Sequence, residues 1–92
     1  MYTETTKVIN KFGIHARPAS NLTLKAKEFV SDITIKNLNK PDSKAINAKG
    51  IMMLLAAGIG TGSVVEITAD GDDEQQAVKE LVKLFDAGFS EE

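Results

Sequence analysis

Apolar residues in this chain recur at intervals of three and four in some stretches and of two in others, and every stretch is short. Segments of that size cannot close a core alone, so helices must be laid against a sheet. The first helical stripe is Ala19, Leu22, Ala26 and Phe29, opened by Pro18 in the first turn, where a missing N–H breaks no internal bond. Ile33 and Ile35 alternate with Thr34 and Lys36, and Val65, Ile67 and Ala69 alternate with Val64, Glu66 and Thr68; each set gives a strand one buried face. Residues 2–9 include Thr3, Thr5, Thr6, Val8 and Ile9, the β-branched composition of a first strand. A short strand around 45–47 follows the turn-rich segment 37–44, which is longer than a tight hairpin loop and is assigned no function.

Residues 48–58 are the most apolar run and end at Gly58, a natural helix C-cap. Leu54 and Ala57 are expected to point inward, leaving Ile51, Met52 and Leu55 partly exposed. Asp72, with Gln75 three residues on, is expected to cap a last helix whose positive end carries Asp73 and Glu74. Its buried stripe is Ala77, Val78, Leu81, Leu84 and Phe85, with Gly88 as the stop. Phe89 then folds back or frays, and Ser90, Glu91 and Glu92 form a solvated tail. The order βαββαβα makes the chain α+β, one sheet with helices gathered on one side, and a single domain over residues 1–92.

The absence of cysteine and the presence of one histidine exclude a disulfide framework and a zinc cluster, and point to a reducing, cytoplasmic setting without a metal or cofactor. The first residues lack the apolar core of a signal peptide and no run is long enough to span a bilayer, so no membrane role is expected. A net charge of −2 argues against nucleic-acid binding. The charge is unevenly spread. Residues 1–50 carry nine Lys/Arg against four Asp/Glu, and residues 51–92 carry two against nine. Solvated faces and helix-end preferences produce such a split, and so does a basic surface that steers acidic proteins.

The single histidine stands in Gly13-Ile14-His15-Ala16-Arg17-Pro18-Ala19-Ser20. Gly13 supplies backbone angles closed to other residues, Pro18 marks a helix start with N–H groups for an anion, and Arg17 offers a planar fork to a phosphate. A nucleophilic imidazole in that setting points to phosphoryl chemistry on His15. With no Walker loop and no second histidine, the chain suits a carrier of the phosphoryl group, not an enzyme that cleaves a nucleotide. Leu24 lies off the buried stripe, on the same side as Ser20 and Lys27.

Residues 13–19 resemble the active-site signature of the histidine-containing phosphocarrier (HPr) family of the bacterial phosphoenolpyruvate-dependent sugar phosphotransferase system. The likeness continues through Ser31-Asp32-Ile33-Thr34-Ile35, Ala48-Lys49-Gly50-Ile51-Met52, Gly58 and Gly71-Asp72-Asp73-Glu74-Gln75. It implies an open-faced β-sandwich whose four-stranded antiparallel sheet runs in the order 1-4-2-3, with three helices on one face. It also implies that His15 takes phosphate on Nδ1 from enzyme I and passes it to IIA components of sugar transporters, the chain acting as a monomer. Arg17 matches the phosphate-steadying arginine, Ala16 the backbone donor, and Ser20, Leu24, Lys27, Ile51, Met52 and Leu55 the partner interface. Many family members carry a regulatory serine where this chain has Gly50, so that control is absent here.

Two other readings remain at this level. Leu84-Phe85-Asp86-Ala87-Gly88-Phe89 and the acidic end resemble the nitrogen-related branch of the same chemistry, which a neighbouring nitrogen-type IIA gene would favour. A regulatory module binding partner proteins through Ile51, Met52 and Leu55 is the other.

Overall fold

The computed structural model describes residues 1–40 and 42–90. In chain order these form β1 (Tyr2–Lys7), α1 (Ala16–Ala26), β2 (Asp32–Asn37), β3 (Ile46–Asn47), α2 (Ile51–Ala57), β4 (Val64–Asp70) and α3 (Glu74–Asp86), followed by a 3₁₀ turn, Gly88–Ser90. The strands make one antiparallel sheet in the order β1-β4-β2-β3. This is the open-faced α+β sandwich that the family resemblance implies.

Register explains how β4 takes the middle. Val65, Ile67 and Ala69 lie opposite Thr6, Glu4 and Tyr2 on one side and opposite Asn37, Ile35 and Ile33 on the other, so every buried side chain of β4 reaches the helix side. Its other face pairs Thr68 with Thr3 and Glu66 with Lys36; the two threonine hydroxyls are 3.0 Å apart. That polar face stays in water. Leu22 of α1, Leu54 of α2, and Val78, Leu81 and Phe85 of α3 are fully buried over Ile33, Ile35 and Ile67. Each such side chain contributes about 1.5–3 kcal/mol of burial.

Several boundaries differ from expectation. β1 ends at Lys7, because Val8 leaves the ladder to exchange backbone bonds with Ser63 (2.9 Å) and Gly62 (2.8 Å), turning Ile9 to solvent. α1 ends at Ala26; Phe29 is buried from the tight turn that follows, where Phe29 N–H donates to Ala26. The N-cap of α3 is Asp73 rather than Asp72, and Gln75 is exposed. Asp73 makes no cap bond to its own helix, since its carboxylate accepts from Val30 N–H (2.9 Å), Ser31 N–H (3.0 Å) and the Ser31 hydroxyl (2.5 Å). The Ser31 hydroxyl, followed by these backbone donors, holds the Asp73 carboxyl below its ordinary pKa. Ala57 and Leu84, at the margins of their stripes, are half-buried. Gly58 closes α2 in the left-handed conformation (φ 61°), and the Lys40 ammonium donates to the Ala57 carbonyl at that negative end (3.3 Å). Pro41 of the expected long turn, and Glu91 and Glu92 of the expected tail, lie outside the described residues.

Candidate functional site

The loop between β1 and α1 is held from two directions. Asn10 closes it internally, with its side-chain amide donating to the Gly13 carbonyl (2.6 Å) and its carbonyl accepting from Gly13 N–H (3.2 Å). From outside, the Thr61 hydroxyl donates to the carbonyls of Asn10 and Lys11, and Ile14 N–H donates to Ile59 (2.8 Å). Gly13 is required here. Its φ is 68°, and a Cβ would meet the Ile59 oxygen at 2.6 Å and the Gly60 Cα at 2.8 Å. The buried Ile14 anchors the next step of the chain.

His15 thereby becomes the N-cap of α1 in an extended conformation, its carbonyl accepting from Ala19 N–H at 2.9 Å. The imidazole makes no cap bond to its own helix. Pro18 has no N–H, so the first-turn donors ahead of it are those of Ala16 and Arg17, and no acidic residue stands in that turn. Arg17 is exposed and half-buried His15 lies beside it in a concavity of about 600 Å³. An imidazole, an exposed guanidinium and the positive end of a helix thus share one corner.

The same concavity is lined by Lys11, Phe12, Asn21, Phe89 and Ser90, residues to which sequence pattern assigned no part. The Phe12 ring stands nearly perpendicular to the His15 ring at 5.9 Å, and the Lys11 ammonium lies 5.4 Å from the Phe12 centroid. An aromatic side chain inside a turn, next to glycine, was the available signal for Phe12. For Phe89 it was the four-residue spacing from Phe85.

Arg17, Ser20, Leu24 and Lys27 follow one another at spacings of three, four and three, which lines them along one side of α1. Leu24 is 62% exposed, Lys27 is exposed and Ser20 half-buried. α2 presents Met52 at 74% and Leu55 at 37% exposure, with Ile51 half-buried and Leu54 turned fully inward. Met53, also exposed, joins this apolar set. The two helices are tied where α2 begins: the Thr23 hydroxyl donates to Ala48 (3.2 Å), and the half-buried Lys49 ammonium to the Phe29 carbonyl (2.7 Å). Gly50 caps α2 with φ −113° and ψ 101°, angles open to any residue, and without a hydroxyl.

Residues 2–87 match the family described as PTS HPr component phosphorylation site. The phosphocarrier protein HPr of Treponema pallidum is 37% identical over the whole of both chains. The multiphosphoryl transfer protein of Haemophilus influenzae is 37% identical over 95% of this chain, which spans only 17% of that longer protein. A crystal structure of HPr from Thermoanaerobacter tengcongensis superposes with a TM-score of 0.89 at 41% identity, covering 100% of this chain and 99% of that one.

Proposed function

The chain belongs to the HPr family of phosphocarriers in the phosphotransferase system, and on that premise we propose that His15 Nδ1 accepts a phosphoryl group from enzyme I and yields it to IIA proteins of sugar transport. The observation that carries this reading is His15 at the start of α1, sharing one concavity with Arg17. The Nδ1 lone pair forms the new N–P bond as the donor's bond to phosphorus breaks, and that electron pair returns to the donor. Nothing is oxidised or reduced, and the reverse step hands the group onward.

Little covalent chemistry is asked of the protein, so positioning and charge compensation do the rest. The Arg17 fork suits two phosphoryl oxygens, and the N–H groups of Ala16 and Arg17 at the positive helix end suit the third. Leu24, Ile51, Met52 and Leu55 form the apolar part of a docking face on which a partner excludes water from the reacting atoms. Ser20 supplies a polar contact there, and Lys27 a cation that steers acidic partners. Enzyme I and the IIA proteins use this one face in turn, which fits a monomeric carrier.

Incubation with enzyme I and phosphoenolpyruvate is expected to place one acid-labile phosphoryl group on the wild type and none on His15→Ala. Equal labelling of the two proteins would show that the acceptor lies elsewhere. The exposed methionines of α2 also support a second reading, regulatory binding through the same face. Its mark is a partner retained equally by the wild type and by His15→Ala.

A further inference from the structure

Three residues in succession after α3, Gly88, Phe89 and Ser90, have left-handed backbone angles (φ 60°, 56° and 59°). Glycine takes that conformation without strain, but phenylalanine and serine do not, and such turns persist only where surrounding contacts hold them. The contacts are present. Phe89 is 3% exposed and sets its ring at 4.9 Å and 70° from Phe85, itself fully buried. Gly88 lies against the other side of the site: a Cβ there would reach Ile9 and Asn10 at 3.7–3.9 Å, in the loop that carries His15. Ser90 emerges from this anchored turn exposed, on the lining of the concavity shared by His15 and Arg17.

We infer that the Gly88–Ser90 turn is a built wall of the phosphoryl site, in which buried Phe89 is a positioning residue that holds the Ser90 hydroxyl to donate to a phosphoryl oxygen on His15. A phosphorylated nitrogen exposed to water is lost by hydrolysis, and a carrier must keep the group until a partner arrives. Arg17 and the α1 N–H groups hold the phosphoryl from one side. The Ser90 wall supplies a donor from another, holding the ground state that hydrolysis must leave. The strained backbone thus has a use, since a right-handed turn would lead the chain after α3 in another direction.

The inference rests on His15 being the acceptor, and the experiment separates the two. Wild type, Ser90→Ala and Phe89→Leu are phosphorylated with enzyme I and phosphoenolpyruvate, freed of the donor, and followed by ³¹P resonance and by first-order loss of phosphate. Ser90 is exposed, so Ser90→Ala is expected to melt as the wild type does while losing phosphate roughly three- to tenfold faster, with a displaced ³¹P resonance. Phe89→Leu keeps an apolar anchor and is expected to shift the resonance in the same direction. A Ser90→Ala phosphoprotein with wild-type lifetime and resonance overturns the wall. Failure of the wild type itself to take phosphate on His15 overturns the underlying reading instead.

Discussion

Replacing Gly13 by alanine tests how the fold holds His15 in place. At φ 68° an alanine bears the left-handed penalty of about 1–2 kcal/mol. Its Cβ would lie 2.6 Å from the Ile59 oxygen, and ordinary contact begins at 3.4 Å, so the two strands of chain must part by up to about 0.8 Å. That same oxygen accepts the Ile14 N–H at 2.8 Å, and parting them weakens a bond worth about 0.5–1.5 kcal/mol. The destabilisation expected is therefore about 1.5–3.5 kcal/mol, a fall in Tm of roughly 6–28 °C for a chain of this size. Gly60→Ala is the control, because its Cβ meets nothing within 4 Å and its φ is not left-handed. Below the Tm of both variants, Gly13→Ala is expected to accept phosphate from enzyme I at least about tenfold more slowly, since a displaced loop moves the imidazole relative to Arg17. A Gly13→Ala protein melting within about 3 °C of the Gly60→Ala control would refute the argument from the close approach of Gly13 to residues 59–60.

Met52→Asp and Leu24→Asp change exposed side chains, so both are expected to keep the wild-type Tm while raising the KM of enzyme I for the carrier by roughly tenfold or more; an unchanged KM removes these residues from the docking face. Gly50→Ser is expected to leave α2 intact or stabilise it by a few tenths of a kcal/mol, because its Cβ would meet only ordinary contacts at 3.5–3.9 Å and serine is the better N-cap. Urea unfolding reads that difference. The Asp73 carboxyl, depressed in the fold chiefly by the Ser31 hydroxyl, contributes stability present above its unfolded value near 3.8 and lost as pH falls through the lower folded value. Melting curves taken at steps below pH 4.5 are expected to show a shallower acid loss in Asp73→Asn than in wild type, and parallel curves would remove that linkage. Leu54→Ala is expected to cost about 2–5 kcal/mol in urea unfolding, as the fully buried side chain of α2, whereas its neighbour Leu55→Ala costs far less.

What the amino-acid sequence determined by itself is what acts within a few residues. The alternation of Ile33 and Ile35, and of Val65, Ile67 and Ala69, fixed which sides of the strands are buried, because the period of a strand is two whatever it packs on. Pro18 and the stripe behind it located the start of α1, and with it His15 and Arg17 at a helix end. Leu24 and Met52 were legible as exposed because helical geometry puts them off the buried stripes. The order of the strands was different: no local period says that β4 enters between β1 and β2, and only family resemblance supplied it. The capping of Asp72 was misplaced for a related reason, since Asp73 spends its carboxylate on Val30 and Ser31, partners some forty residues away. Phe89 read as an end that folds back or frays and Ser90 as the start of a solvated tail; a contact with Phe85 folds Phe89 back into the core through a turn that local preference disfavours, and Ser90 is exposed beyond it. Register, distant hydrogen bonds and strained turns are settled by which burials fit together at once. Those terms exist only when the whole sheet and its helices have assembled.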